Sequence, residues 1–465
     1  MTDPTDVVAC VDFGSTFTKA LLVDVATGSL VAAASHLTTI DTDVLDGWYA
    51  CLSVLVAADP RAAGAEVLAC SSAGGGLRIA VVGNEALVTA EAGRRVALSS
   101  GGHVVHVSSG GLDDARLTEL RDAQPDVLLL VGGTDGGNSE VLLACAATRA
   151  RVRWAGPVGV AGNVDAQAEV ADMLEAAGTP CVRADNVVPQ IGVLAPGSAR
   201  GAIREMFLRH VIGGKHLSRR ADFTAMVRGA TPDVVLTAVE LLARRAGDVV
   251  VVDVGGATTD VHSVLEPDPE DAGLSREVVA TLPVSRTVEG DLGMRWSAVS
   301  TVTEGVAAGL LTDSPELAAA ARLRRDRPDL LPSTPAEAHD DELVATAAVG
   351  VALRRHAGRR QMTYDAGSRV LRTSGKDLRE VDVLVGSGGV LRSSPAVVAD
   401  RVLGSVTGSE VPGGWQLPRD PRVVVDRDYV LAAAGLLAEE HPHAANALLG
   451  RLLGVARRAA PSLEP

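Results

Sequence analysis

The chain has 465 residues, 47% of them apolar and 22% charged, which fits a globular protein of about three domains. A net charge of −15 and only 2% aromatic residues argue against a nucleic-acid binder or a base-stacking platform. Five scattered cysteines without a Cys-x-x-Cys pair argue against a disulfide framework or a zinc site. No apolar run nears the ~18 residues a bilayer span needs. Met1–Val8 has neither a basic start nor an apolar stretch, so no secretory leader is expected. A cytoplasmic protein without membrane or nucleic-acid partners is therefore the expectation.

Val7–Phe13 reads as a buried strand, Gly14-Ser15-Thr16 as a turn and Phe17–Asp24 as the returning strand, with a third strand near Leu30–Ala34. Helical periodicity covers Asp43–Val56, where Asp41 is placed to cap and Asp41, Asp43 and Asp46 make an acidic start. Val67–Ser71 and Leu77–Val82 are further strands. Between about residues 100 and 200, strands at 127–131, 158–161 and 181–183 alternate with helices at 139–150 and 165–177. That alternation predicts an inserted α/β unit on a parallel sheet. His103 and His106 have odd spacing, which on a regular strand places them on opposite faces and argues against a metal pair. Helices follow at 199–211 and at 232–245, the second opened by Pro232.

Val249–Asp253 is an apolar strand that turns at Gly255-Gly256-Ala257 into Thr259–Leu265. Residues 292–323 and 335–359 are largely helical. Val381–Val385 is a strand that runs into Gly386-Ser387-Gly388-Gly389 and a helix from about Ser394. A short strand at Val423–Val425 and an Ala/Leu-rich helix at Tyr429–Glu439 follow. The expected division is 1–99 as a first lobe, 100–200 as the inserted α/β subdomain, 201–248 as the return and connecting helix, and 249–465 as a second lobe with a helical subdomain.

One pattern occurs twice. Asp12-Phe13-Gly14-Ser15-Thr16-Phe17-Thr18-Lys19 and Asp253-Val254-Gly255-Gly256-Ala257-Thr258-Thr259-Asp260 both run from an apolar strand through a glycine turn into a second strand. Glycine lets such a turn approach a ligand closely, and successive amide N–H groups make an anion-binding concavity. Ser15, Thr16, Thr18, Thr258 and Thr259 add hydroxyls. Asp12 and Asp253 end their strands facing a shared cleft. Two carboxylates beside a polyphosphate call for a hard cation between them, which suits Mg²⁺. Lys19, one of only three lysines among 43 basic residues, is placed to meet a terminal phosphate as a compact charge. Gly386-Ser387-Gly388-Gly389, after a strand and before a helix, supplies a backbone surface for a nucleoside.

These three segments, in this order, resemble the phosphate-1, phosphate-2 and adenosine motifs of the actin, heat-shock chaperone and sugar kinase superfamily. The resemblance implies an α/β, two-lobed actin-like (ribonuclease H-like) ATPase fold with the insert in the first lobe. It also implies ATP and Mg²⁺ as cofactors. Asp12, Lys19 and Asp253 would be the catalytic residues, Asp12 and Asp253 would lie on the metal side, and Asp253 is the better candidate for orienting the attacking water. A Gly-x-x-x-x-Gly-Lys-[Ser/Thr] loop is absent.

A narrower resemblance rests on the first loop, on Leu129–Gly137, Asn186–Pro189 and Glu289–Arg295, which is Glu-Gly-Asp-Leu-Gly-Met-Arg. These are similar to the MutL (GlmL) family, encoded beside adenosylcobalamin-dependent mutases such as glutamate (methylaspartate) mutase. That resemblance implies a reactivating, chaperone-like ATPase whose partners are mutase subunits and ATP/ADP, and it leaves a homodimer open. The alternatives are a carboxylate or sugar kinase of the same superfamily, or an ATP-driven reductive activator of a partner enzyme. Glu289–Gly293 is expected near the adenosine pocket, and Gly132–Gly137 more as a structural or partner-facing turn than as an ATP contact.

Overall fold

The computed structural model describes residues 6–150, 156–266, 282–365, 368–409 and 411–454. Two of its sheets have the same topology. In the first, β1 (Val7–Phe13), β2 (Phe17–Asp24) and β3 (Ser29–Leu37) form an antiparallel meander. Strands β4 (Glu66–Ser71) and β10 (Val227–Ala230) add in parallel on the other side of β1, giving the order β10-β4-β1-β2-β3. In the second, β11 (Val249–Val254), β12 (Thr259–Val264) and β13 (Val284–Glu289) form the meander. Strands β16 (Val383–Ser387) and β17 (Arg422–Val425) complete the order β13-β12-β11-β16-β17. The chain thus has the α/β, two-lobed architecture of the actin-like ATPase fold.

Between β4 and β10 lies a third sheet, wholly parallel, in the order β6-β5-β7-β8-β9. Its strands are β5 (Leu77–Gly83), β6 (Gly102–Ser109), β7 (Val127–Leu130), β8 (Val158–Val160) and β9 (Cys181–Arg183). Helices α2 (Glu91–Ser99), α3 (Asp114–Asp122), α4 (Glu140–Ala150), α5 (Val164–Ala176) and α6 (Gly197–Met206) connect or flank them. The inserted sheet therefore begins at Leu77, ahead of the expected boundary at residue 100, because β5 pairs with β6 and β7 and not with the first-lobe strands.

In α1 (Val44–Ala58) the cap is Asp43, whose carboxylate accepts from the Leu45 N–H at 2.9 Å; Asp41 does not serve. A short α7 (Ala221–Met226) precedes β10, and Thr231-Pro232 open α8 (Thr231–Ala246), which leads into the second lobe. There α9 (Ala298–Ala307), α10 (Pro315–Asp326) and α11 (Pro335–His356) pack on one face of the sheet. The hairpin β14 (Arg359–Asp365)–β15 (Ser368–Ser374) stands apart as a two-stranded sheet. Helices α12 (Gly389–Ser393) and α13 (Ala396–Gly404) follow β16. Then α14 (Val430–Leu437) and α15 (Pro442–Leu452) end the described chain. No helix among the described residues is long and apolar enough to cross a membrane.

Strand alternation sets the position of the site. Along β1, Val7, Ala9, Val11 and Phe13 enter the core beneath α1, while Val8 and Cys10 face the other way. Along β11, Val249 and Val251 face that same second core, which α8, α14 and α15 fill between the two sheets. Continuing each alternation by one step turns Asp12 and Asp253 toward the space between the lobes. Helices α8 and α14 cross there so closely that a Cβ on Gly435 would collide with the Val234 carbonyl oxygen. This is a glycine that the backbone approach requires.

Candidate functional site

The repeated loops meet. A Cβ built on Gly256 would lie 2.8 Å from Thr16 Oγ1, so the two glycine turns face each other across the lobe junction. Both turns are built the same way: the Gly14 N–H bonds the Phe17 carbonyl at 3.2 Å, and the Gly255 N–H bonds the Thr258 carbonyl at 2.9 Å.

Neighbouring segments pin the carbonyls of each loop. In the first, Thr38 gives its hydroxyl to the Gly14 carbonyl at 2.8 Å and its N–H to the Thr16 carbonyl at 2.9 Å. In the second, the N–H groups of Met294 and Arg295 reach the Gly255 and Gly256 carbonyls at 3.0 and 2.8 Å. Ser297 Oγ donates to the Ala257 carbonyl at 2.6 Å. With the carbonyls held, the amide N–H groups of Ser15, Thr16, Gly256 and Ala257 have no protein acceptor among the described residues. Thr16 Oγ1 is also buried without a partner. Opposed, unsatisfied amide dipoles are what an oxyanion chain binds.

Asp12, 3% exposed, is saturated. Its Oδ2 accepts from Lys19 Nζ at 3.2 Å and from the Tyr429 hydroxyl at 2.9 Å. Its Oδ1 accepts from Thr231 Oγ1 at 2.6 Å and from Cys70 Sγ at 3.6 Å. Lys19 sits directly opposite Asp12 in the β1–β2 register. Asp253 differs: no donor among the described residues bonds its carboxylate. Removal from water, with Asp260, Asp12 and Asp426 nearby, raises its pKa to about 6 against the pull of Lys19. Its register partner Asp260 replaces Lys19 in the repeat and is held by Arg286 at 2.6 Å. Two carboxylates and the unpartnered Thr16 hydroxyl offer only oxygen donors at this junction, while the Thr258 hydroxyl is turned to Asp260 Oδ2 at 3.4 Å. Such donors suit a hard divalent ion, with Asp253 ready and Asp12 engaged.

Other expected ligands fall elsewhere. Thr18 and Thr259 lie opposite Phe13 and Val254, so alternation turns both away from the cleft. Thr18 Oγ1 meets Thr38 Oγ1 at 3.2 Å instead. Gly386 is a packing glycine inside β16, its Cβ position taken by Leu403. Ser387 is buried beside Asp253 in the parallel register. Gly388, at φ 97°, crosses β11 where a Cβ would strike the Val254 carbonyl, and Gly389 is exposed. Gly293 packs on the backbone of Gly256 and Ala257, which brings Glu289–Arg295 against the second loop. Gly132–Gly137 follows β7 in the inserted sheet, where Asn163 and Asn186 bond the Gly137 and Gly133 carbonyls at 3.0 Å.

Tyr429 and Thr231 had no sequence signature. Their importance comes from the heads of α14 and α8 converging on Asp12, far apart in the chain. His103 and His106 also depart from expectation. A β-bulge pairs them with Arg78 and Ala80, two apart on β5, and so on one face. Both line a cavity of about 610 Å³ between α2, β6 and β13. The cations around it are paired, Arg94 and Arg95 with Glu91 and Arg355 with Glu289. The space beside Asp12, Lys19 and Tyr429, lined also by α14, is only about 10 Å³, and the two glycine turns themselves are shut against each other where Gly256 meets Thr16. All five cysteines are free, four of them buried.

A family model described as "MutL protein" matches residues 8–453. Protein MutL of Clostridium tetanomorphum is 34% identical over 463 residues, covering 96% of this chain and 99% of that protein. Ethanolamine utilization protein EutJ from Carboxydothermus hydrogenoformans aligns at 10% identity and TM-score 0.30, over 94% of this chain and 91% of its own. The activator of the 2-hydroxyisocaproyl-CoA dehydratase from Clostridium difficile, solved with bound ADPNP, aligns at 9% identity and TM-score 0.30, over 98% and 100%.

Proposed function

This chain belongs to the MutL family, and on that premise we propose that it binds and hydrolyses ATP to reactivate an adenosylcobalamin-dependent mutase, such as glutamate (methylaspartate) mutase, by releasing damaged cofactor. The observation that carries the nucleotide reading is the opposed pair of loops, with unsatisfied amides at Ser15, Thr16, Gly256 and Ala257 and the orphaned Thr16 hydroxyl between them. These groups bind the phosphate oxygens, and Lys19 takes the terminal phosphate. Gly388 and Gly389 lie against the nucleoside, and Asp253 orients the attacking water. Bound Mg²⁺ supplies charge neutralisation on the phosphates. The shut loops must part to admit a nucleotide, so binding and lobe opening are one event, and the inserted sheet carries that motion to the client.

The test is calorimetric Mg-nucleotide binding together with slow phosphate release. In Asp12→Ala and Asp253→Ala, hydrolysis falls by at least about a hundredfold. Turnover in both variants equal to wild type removes the reading. Recovery of an inactivated mutase with and without ATP tests the client. If the chain were instead a kinase, it would need an acceptor pocket and a general base beside the terminal phosphate; the cavity of about 610 Å³ between the insert and β13 has no lining residue from either glycine loop. Transfer of labelled γ-phosphate to a metabolite would favour that alternative. For a reductive activator, a cluster at a dimer interface would need suitably placed cysteines, and four of the five here are buried.

A further inference from the structure

We infer that Tyr429 is a positioning residue that holds Lys19 on Asp12 and passes the release of Lys19 to helix α14; this rests on the nucleotide reading above. An ionised carboxylate offers about four lone-pair sites. At Asp12 all are occupied, by Lys19, Tyr429, Thr231 and Cys70. The Thr231 and Cys70 contacts are buried and tie Asp12 to its own lobe. Lys19 is the movable donor, its side chain 22% exposed.

Tyr429 holds that lysine twice. Lys19 Nζ donates to the tyrosine hydroxyl at 2.9 Å and lies 4.1 Å from the centre of its ring. The same hydroxyl donates to Asp12 Oδ2 at 2.9 Å, closing a three-membered ring of contacts. A phosphate that draws Lys19 toward the first loop competes with this ring.

The backbone of Tyr429 makes the break detectable. Its φ is 57°, a left-handed conformation rare for a bulky side chain, at the head of α14. Asp426 fixes the first turn, accepting from the N–H groups of Val430 and Leu431 at 2.8 and 3.1 Å. Tyr429 is strained between a helix head and two charged partners, so release of Lys19 removes two of the contacts that hold it at these angles. Helix α14 crosses α8 backbone to backbone, so a change at its head is felt at the lobe junction.

The probe is MgADPNP, which keeps a terminal phosphate that is not hydrolysed. Tyr429→Phe frees Lys19 from one hydrogen bond, so it binds MgADPNP about two- to tenfold more tightly than wild type. In a Lys19→Met background the same change has no effect on affinity, because there is no lysine to hold. A merely structural role would leave affinity unchanged or weaken it in both backgrounds. Independently, MgADPNP changes hydrogen exchange across residues 430–437 in wild type, and this response is lost in Tyr429→Phe. Unchanged or weaker affinity in Tyr429→Phe, or no exchange response in nucleotide-bound wild type, overturns the inference and leaves the nucleotide reading standing. Failure of wild type to bind MgADPNP at all overturns both.

Discussion

Asp12 and Asp253 occupy equivalent places in the repeat and yet have opposite electrostatic surroundings. Asp12 has four donors, while Asp253 and the buried Asp426 both have pKa values raised to about 6, burial being the first cause of each. A carboxyl whose folded pKa exceeds its unfolded value binds its proton more tightly when folded, so its ionisation costs stability. The share of stability from these two groups is fullest near pH 4 and is lost as pH rises toward 6. Asp253→Asn therefore melts higher than nucleotide-free wild type at pH 7, by on the order of 1–2 kcal/mol after allowing for screening. Its stability falls less steeply between pH 4 and 6. Thermal melts across that range check this, and coincident wild-type and variant curves would refute it. The inward aim of both aspartates was legible from Val8, Cys10, Val249 and Val251, since a period of two leaves no other face for them. The inequality between them was not, because it depends on Tyr429 and Thr231, residues more than 200 positions from Asp12 that only the converging helices bring near.

At the scale of elements, buried central strands read clearly and edge strands did not. β1, β2 and β11 are largely apolar runs next to glycine turns, β12 is the polar return from one, and their bounds lie close to expectation. β6 and β13 mix histidine, arginine and serine with valine because each lies at a sheet edge with one side open, and neither reads as a strand. The bulge at Val105 is invisible for a related reason: only the pairing with Ile79 and Ala80 reveals the extra residue. Helix crossing is equally silent in a sequence. Gly435 looks like a mild flaw in an Ala/Leu helix, yet α14 lies against α8 only because it lacks a side chain there. Gly435→Ala pushes these helices apart and destabilises the protein by about 1–3 kcal/mol, measured by denaturant unfolding. A neutral effect would mean the crossing is looser than described.

Across the whole molecule, the insert is joined to the second lobe by Arg286. Its guanidinium, 3% exposed, bonds Asp260 beside the second loop and reaches the carbonyls of Leu98 at 3.3 Å and Gly102 at 3.4 Å. One side chain therefore links the neighbourhood of Asp253 to the end of α2 and the start of β6. Arg286→Ala leaves Asp260 without its cation and costs about 3–5 kcal/mol. It also speeds hydrogen exchange at residues 96–104 while β1 stays protected. Equal exchange in both proteins would show that the insert is held by other means. The lobe duplication was visible in the two Asp-x-Gly strings, whereas the reach of the insert toward the second lobe was not, since nothing in Arg286 distinguishes it from other arginines.

The bare meeting of Gly435 with Val234 limits how the halves can travel. Where main chain meets main chain, no side chain can yield, so sliding one helix along the other would drive the Val234 carbonyl into the backbone at Gly435. Relative motion of the two sheets is then easier as a pivot about this meeting than as a glide across it.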